Sequence, residues 1–284
     1  MTLLASTGDA DLHEPVLVIS LDGWIDAGEG SAIARRTILD RPVEAIAIGD
    51  ADALFDHRAR RPTLTIEDGL ATDLRWPELR VDAVRDDRQR DVIILHGAEP
   101  DHAWHAITAE LVELVTDLGV VLVAGLGAYP AAAPHTRPSR LSCTASTPEL
   151  IERHPFTRAS VEVPAGMQAV IEQALHERGV PAIGLWAQTP HYLTGISYPD
   201  AAASLLDGLD SVANRRFDST GLREQAIGTR NRLDRLIQEN EQHLEMLHQL
   251  EASYDAQLEI GDPPLPSGDD LAAEFQAFLR DQDD

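Results

Sequence analysis

Short apolar runs recur along the chain, and stretches with the spacing of amphipathic helices lie between them. The runs are about five residues long and lack polar alternation, which is typical of strands buried on both faces of a parallel sheet. They cover residues 16–21, 43–48, 91–95, 120–124 and 182–186. The helical stretches cover residues 30–39, 104–118, 166–178 and 200–212. This alternation predicts an α/β fold, a three-layer sandwich with a mostly parallel or mixed central sheet, as one domain over residues 1–213.

Two stretches interrupt the alternation. Between residues 61 and 84, Asp68-Gly69 separates two strand-like segments, 63–66 and 73–84, so we expect a small antiparallel insertion there. Residues 137–145 could form an edge strand, because Pro138 cannot donate a backbone hydrogen bond and restricts how centrally the segment starts.

After residue 213 the composition becomes rich in arginine, glutamate, glutamine and leucine, which predicts a long helical arm over residues 214–260. Gly228 is a candidate position for a bend. A four-three spacing predicts a narrow apolar seam that includes one polar residue. The seam consists of Leu233, Ile237, Asn240, Leu244 and Leu247. Packing on the same domain and an intermolecular coiled coil both remain open.

The proline-rich segment GDPPLP at 261–266 predicts a stiff connector, so that residues 261–284 form a linker and a short amphipathic helix. The apolar stripe of this helix consists of Leu271, Phe275, Phe278 and Leu279. A helix this short does not persist alone in water, so the stripe is expected to dock on its own subunit or on a partner.

The chain has 284 residues, a formal net charge of −25 and no lysine, since all 23 of its basic residues are arginine. The charge argues against nucleic acid or an anionic membrane surface as a partner. The absence of lysine excludes Schiff-base chemistry and a Walker-type phosphate loop. No apolar run approaches the roughly 20 residues that span a bilayer. With no signal-peptide pattern and a single cysteine, Cys143, a cytoplasmic location is expected.

Polar side chains collect where the predicted strands end, which is where open α/β sheets bind ligands. We therefore expect a candidate pocket with Trp24 as a stacking surface and Arg137 as an anion contact. Its members are Asp22, Trp24, Asp26, His96, Glu99, His135 and Arg137.

Each of these residues also has a structural interpretation. Asp22 and Asp26 could form a carboxylate pair for acid–base catalysis, or Asp26 could cap the following helix. Arg137 could pin a loop instead of binding a ligand. No metal site is predicted, because His102 and His105 lack a complete ligand set and Asp101 suits a helix N-cap.

No cofactor is predicted either. Gly125 and Gly127 follow a strand, but Pro130 stands where a dinucleotide loop needs its third glycine. Cys143 could be a nucleophile served by His135, although a lone thiol in a strand-like run is more often part of the core.

Six segments together resemble the bacterial branch of the proteasome assembly chaperone family that is related to the second such chaperone. They are DGWIDAG (22–28), RPTLTIEDG (61–69), LHGAEPDHAW (95–104), LGAYPAAAPHTRP (126–138), TASTPEL (144–150) and LPSGDDLAAEFQAFLR (265–280). The resemblance implies a phosphorylase/hydrolase-like sandwich with helical additions, an oligomer and no established enzymatic activity. The family's hydrophobic-Tyr-X ending is replaced by Asp281-Gln282-Asp283-Asp284, so docking on the proteasome by that route is not expected.

Two hypotheses follow. The first is a non-catalytic homo-oligomeric interaction protein of the assembly-chaperone or quality-control type, with itself and proteasome subunits or other clients as partners. A trimer is a working number that the helical seam does not fix. The alternative is an enzyme on a nucleoside-phosphorylase-like scaffold, either a phosphorylase or a hydrolase, that uses the strand-end pocket.

Overall fold

The computed structural model describes residues 2–8, 10–158, 160–238 and 240–260, where strands and helices alternate along most of the sequence. The strands are β1 (Leu4–Ser6), β2 (Val16–Asp22), β3 (Glu44–Gly49), β4 (Thr63–Glu67), β5 (Leu70–Arg75), β6 (Leu79–Arg85), β7 (Asp91–Ala98), β8 (Leu122–Ala131), β9 (Leu141–Ala145) and β10 (Ala182–Pro190). The α-helices are α1 (Gly30–Leu39), α2 (Ala51–Leu54), α3 (Trp104–Asp117), α4 (Pro148–Glu152), α5 (Met167–Glu177), α6 (Pro199–Ala213), α7 (Thr220–Gln238) and α8 (Glu241–Ile260).

Eight strands form one mixed sheet in the order β1-β3-β6-β7-β2-β8-β10-β9. The central strands β7, β2, β8 and β10 are parallel, as their apolar runs predict. The run at 43–48 also forms a strand, but β3 pairs antiparallel with β1 and β6 instead of joining the parallel set. β3 runs in the same direction as β2, to which it is connected through α1. The antiparallel strand β6 lies between β3 and the parallel strands, so β3 cannot pair with them.

The central strands are apolar throughout because both faces of the sheet are covered. Val16 and Val18 point into a core beneath α1 and α6, while Leu17 and Ile19 point into a second core beneath α3 and α5. All four side chains are at most 2% exposed. Continuous burial removes the polar alternation that a half-exposed strand would show.

The small antiparallel insertion is present as a two-stranded sheet of β4 and β5. Asp68 and Gly69 join the strands with φ of 49° and 83°, the left-handed conformations that a tight hairpin turn requires. The structure differs from the prediction beyond Trp76, because β5 ends at Arg75 and residues 79–85 form β6 of the main sheet. Pro77, which lacks a backbone N–H, separates the two strands.

The C-terminal arm consists of two helices. Gly228 lies inside α7, and the boundary between the two helices falls later, because α7 ends at Gln238 and α8 begins at Glu241. Asn240, which the seam pattern placed among apolar residues, caps α8 by accepting a hydrogen bond from the Gln242 N–H at 2.9 Å. Leu222 and Leu233 join the core on the α6 face, which anchors α7 on the sheet domain.

The predicted docking stripe of Leu271, Phe275, Phe278 and Leu279 lies outside the described residues. Among the helices that are described, none combines the length and the apolar content that crossing a bilayer requires.

Candidate functional site at the strand ends

The carboxylates after β2 both have partners within the chain. Asp26 accepts hydrogen bonds from the backbone N–H groups of Ser31 at 2.8 Å and Ala32 at 2.9 Å, so it caps the first turn of α1. Burial raises the pKa of Asp26, although these two hydrogen bonds act in the opposite direction. Asp22 forms an ion pair with Arg35 at 2.7 Å.

Glu99 and Trp24 meet at the start of α5. The Glu99 side chain lies against Gly23 and Gly166, and its Oε1 accepts a hydrogen bond from the Met167 N–H at 2.6 Å. Glu99 is only 8% exposed, whereas Trp24, whose indole also lies beside Gly166, is 56% exposed. This corner therefore combines a buried helix-capping carboxylate with an exposed aromatic surface.

His96 lies on β7 and interacts with β6. Its Nε2 is 2.7 Å from Oδ2 of the buried Asp82, whose other oxygen pairs with Arg80. Burial raises the pKa of Asp82, but the hydrogen bonds from His96 and Arg80 outweigh it and hold that pKa below its usual value. The imidazole is thus part of a cross-strand network between β6 and β7.

His135 follows β8 and attaches that loop to α7. The Tyr192 hydroxyl lies 2.9 Å from the His135 backbone N–H and 2.8 Å from Nδ1, and Nε2 lies 3.1 Å from Asp234 of α7. The hydroxyl accepts from the N–H and donates to Nδ1, so Nε2–H donates to Asp234. Burial lowers the pKa of His135, which favours this neutral imidazole.

Arg137 attaches the same loop to α8. Its Nε and Nη2 donate to the two carboxylate oxygens of Asp255 at 2.9 and 2.7 Å, and Nη1 reaches Glu251 at 3.2 Å. The hydrogen bonds to Asp255 raise the pKa of Arg137 further. Tyr254 adds a hydrogen bond from its hydroxyl to the Pro138 carbonyl. We refer to residues 134–138 as the clamp loop.

By their hydrogen bonds and ion pairs, the seven candidate residues fall into three groups. Asp22, Trp24, Asp26 and Glu99 surround the beginnings of α1 and α5, His96 belongs to the β6–β7 network, and the clamp loop faces the helical arm. The loop-pinning interpretation of Arg137 and the capping interpretation of Asp26 describe their observed contacts.

Asp101 does not cap α3, because its carboxylate binds the Asp56 N–H and Arg60 and so holds the loop after α2.

Cys143 is a free, buried thiol on β9 whose pKa is raised by burial, which suits a core residue. Within the described ranges, no group of three or more His, Cys, Asp and Glu side chains could hold a metal ion.

One polar residue that the sequence did not single out is Glu172 of α5. Its carboxylate accepts a hydrogen bond from Gln168 at 3.0 Å and lies over Gly125 and Gly184. A β-carbon added at Gly125 would lie 2.2 Å from the Glu172 Oε1, and one added at Gly184 would lie 3.4 Å from it. Burial raises the pKa of Glu172 to about 7. The available signal was Gly125 directly after one apolar run and Gly184 inside another, but only the packing of α5 shows what these glycines accommodate.

The model of the PAC2 family matches residues 20–237, which is most of the chain. The chain therefore belongs to the PAC2 family, as the sequence motifs predicted.

Solved structures agree with this assignment. A PAC2 family protein from Streptomyces avermitilis is 32% identical, with a TM-score of 0.73 over 82% of this chain and 99% of its own. A proteasome-assembly chaperone homologue from Mycobacterium tuberculosis is 29% identical, with a TM-score of 0.74 over 82% of this chain and 99% of its own. A protein of unknown function from Corynebacterium glutamicum is 26% identical, with a TM-score of 0.85 over 90% of this chain and 98% of its own. A comparison with curated protein sequences gives no match.

Proposed function

We propose that this protein is a non-catalytic, homo-oligomeric interaction protein of the proteasome-assembly-chaperone type that acts in the cytoplasm on proteasome subunits. The observation that carries the proposal is membership of the PAC2 family, together with the similarity to the mycobacterial proteasome-assembly chaperone homologue over 82% of this chain. Its partners would be further copies of itself, with a trimer as the working number, and proteasome subunits.

The contacts of the candidate residues support this proposal. Asp26 and Glu99 cap helices, His96 binds Asp82, and His135 and Arg137 hold the arm. The polar atoms of these residues make contacts that hold the fold together. A rigid fold of this kind can position surface segments that bind a protein partner. An enzymatic role would need several of them directed at one substrate.

The test uses the purified full-length protein and separately purified α- and β-type proteasome subunits of the same organism. Native mass spectrometry should show an oligomer of this protein and its complex with at least one subunit type, and core-particle assembly should be faster in its presence. Bovine serum albumin, another acidic protein, serves as the control for charge alone. A strictly monomeric protein that neither binds the subunits nor changes the assembly rate would contradict the proposal.

An enzyme on a phosphorylase/hydrolase-like scaffold is the second candidate, and the exposed indole of Trp24 beside Glu99 is the observation that favours it. Aromatic faces can stack nucleobases. Nucleosides and phosphate esters would be screened for turnover with the wild type, Trp24→Ala and Glu99→Gln. Turnover that both substitutions abolish would favour this candidate, and no turnover, or turnover unchanged by both, would reject it.

A further inference from the structure

Glu172 is a partly buried acid to which the fold supplies no cation. Burial raises the pKa of Glu172 to about 7 against the hydrogen bond that Gln168 donates to its Oε1. Within the described part of the chain, its Oε2 has no hydrogen-bond partner and no charged side chain shifts that pKa. The buried Asp200, by contrast, pairs with Arg223 at 2.7 Å. A cation supplied from outside the chain would therefore stabilise the charged form of Glu172.

Glycines in the sheet make room for this carboxyl group and for an indole ring beside it. Gly125 of β8 is opposite Gly184 of β10, and Gly127 is opposite Trp186. A β-carbon added at Gly127 would lie 2.4 Å from two carbons of the Trp186 ring, so the ring covers that glycine. A β-carbon added at Gly184 would lie 3.0 Å from the Trp186 Nε1 and 3.4 Å from the Glu172 Oε1. Both atoms thus lie within 3.4 Å of one point, which places the indole beside the carboxyl group.

The polar side chains that continue this face of the sheet are neutral. The Trp186 Nε1 donates to the Thr144 Oγ1 of β9 at 3.3 Å. The Tyr129 hydroxyl accepts from Ser142 at 3.2 Å and from Gln188 at 3.1 Å. Thr144 is exposed, and Trp186 and Tyr129 are partly exposed, so the group can be reached from solvent. An acid and an aromatic ring with no basic side chain among their neighbours suit a cation and not an anion.

We propose that the acid–indole site, formed by Thr144, Gln168, Glu172 and Trp186, binds a guanidinium group. The guanidinium would donate to the Glu172 carboxylate and to the Gln168 carbonyl oxygen while one of its faces stacks on the Trp186 indole. It suits the site better than an ammonium group, because it is planar, stacks on aromatic rings and donates several hydrogen bonds in one plane. The net charge of −25 raises the local concentration of cations. The inference does not depend on the proposed chaperone function.

Binding should depend on pH, because only the ionised form of Glu172 pairs with a cation. A carboxyl group with a pKa of about 7 is roughly one tenth ionised at pH 6 and roughly nine tenths ionised at pH 8. The groups that face it are Gln168 from α5, Gly125 from β8, Thr144 from β9 and Trp186 from β10, and none of them titrates in this range. The affinity should therefore rise about tenfold from pH 6 to pH 8.

The first experiment titrates the full-length protein with Nα-acetyl-arginine amide by isothermal titration calorimetry at pH 6 and pH 8, in about 0.15 M salt. Nα-acetyl-citrulline amide, which has nearly the same shape without the charge, is the control ligand. We expect a dissociation constant on the order of 1 mM for the arginine compound at pH 8, about tenfold weaker binding at pH 6, and no binding of the citrulline compound. No binding of the arginine compound, equal binding of both compounds, or an affinity that does not rise with pH would overturn the proposal.

Substitutions then locate the binding. Glu172→Gln should weaken binding at pH 8 at least about tenfold and remove the dependence on pH, since the amide carries no charge. The matched control is Glu177→Gln, an exposed position of the same helix, where the dissociation constant should stay within about twofold of wild type. Binding that Glu172→Gln leaves unchanged would place the guanidinium elsewhere on the acidic surface and overturn the proposal.

Trp186→Phe tests the ring and does not require that Glu172→Gln folds. Phenylalanine keeps an aromatic face with a weaker attraction for cations, so binding should weaken about threefold while the ratio between pH 6 and pH 8 stays the same. An unchanged affinity would remove Trp186 from the site and contradict the proposed stacking.

A second pair of ligands distinguishes the sources of the guanidinium, which are a free small molecule and an arginine side chain of a protein. The peptide Gly-Gly-Arg-Gly-Gly presents arginine within a chain, and its lysine counterpart is the control. Binding of the arginine peptide as tight as that of the acetyl-arginine amide would assign the site to a protein's arginine, whereas binding of the amide alone would assign it to a small molecule. A lysine peptide that binds as tightly as the arginine peptide would show that the site recognises charge and not the guanidinium group, which would overturn the proposal.

Discussion

At the scale of single residues, Glu99 shows how a polar side chain at a strand end can serve the fold. Its carboxylate accepts from the Met167 N–H, 68 positions further along the chain, and so satisfies one of the backbone donors that every helix start leaves open. Because Glu99 is buried, water cannot replace it.

We expect Glu99→Ala to lower the free energy of unfolding by about 1–2 kcal/mol, since the N–H loses its acceptor. Glu99→Gln keeps an acceptor oxygen and should cost less than half as much. Urea unfolding followed by circular dichroism measures both. An alanine variant as stable as the wild type would show that the cap contributes nothing.

Glu172 gives a prediction about pH, because burial raises its pKa to about 7. In the unfolded chain a glutamate loses its proton near pH 4.3, so between that pH and about 7 the folded state binds more protons than the unfolded state. The stability contributed by the protonated carboxyl is full below this window and is lost as the pH rises through it.

We therefore expect Glu172→Gln to flatten the dependence of stability on pH between pH 5 and 8. At pH 8 the variant should exceed the wild type by on the order of 2 kcal/mol relative to their difference at pH 5. Urea midpoints at several pH values measure the effect, with Glu177→Gln at the end of α5 as the control. Parallel curves for Glu172→Gln and wild type would contradict the assigned pKa.

At the scale of elements, the clamp loop determines where the helical arm lies. Arg137 binds Asp255 of α8 through two parallel hydrogen bonds, and His135 binds Asp234 of α7. A two-point guanidinium–carboxylate contact fixes direction as well as distance. Both helices of the arm are thereby tied to the end of β8.

We expect Arg137→Ala to loosen α8, with a loss of about 1 kcal/mol in the stability of that helix, because the pair is partly exposed to solvent. Hydrogen exchange of the α8 amides should become faster while that of β2 and β7 stays unchanged.

Arg137→Lys is the matched control for charge. Lysine keeps the positive charge but cannot form the two-point contact, so its exchange rates should lie between those of wild type and Arg137→Ala. If the α8 amides exchange as slowly in Arg137→Lys as in wild type, the two-point geometry of the guanidinium contact does not matter.

At the scale of the whole molecule, the net charge of −25 opposes association between copies. Salt screens the repulsion over about 10 Å at 0.1 M and less at higher concentration. Self-association should therefore strengthen as sodium chloride rises from 50 to 500 mM.

Sedimentation equilibrium at several salt concentrations measures this trend. Binding to a basic surface should weaken over the same range, which separates the two kinds of contact in one experiment. Self-association that weakens with salt would indicate an interface held by ion pairs instead of apolar contact.

Much of the fold follows from local patterns. The runs that became β2, β7, β8 and β10 are recognisable because burial on both faces removes polar alternation, and the helices between them keep their 3.6-residue period. The Asp68-Gly69 turn is equally local, because it depends only on the conformations these two residues allow.

The remaining features depend on contacts between distant parts of the chain. Residues 79–85 look like part of the insertion, yet they pair with β3 and β7 of the main sheet. The spacing places Asn240 in an apolar seam, but its side chain caps α8, because α7 ends at Gln238 and α8 begins at Glu241. A local pattern does not specify which edge a strand joins or where a long helix divides.

The sequence by itself determined the family and the alternation of strands and helices, because each depends on residues that are close in the chain or on motifs that can be read directly. Only the tertiary structure decided the use of Glu99, His135 and Arg137, since their partners lie 57 to 118 positions away. A side chain's role follows from which donor or acceptor the fold brings to it, and that is a property of packing.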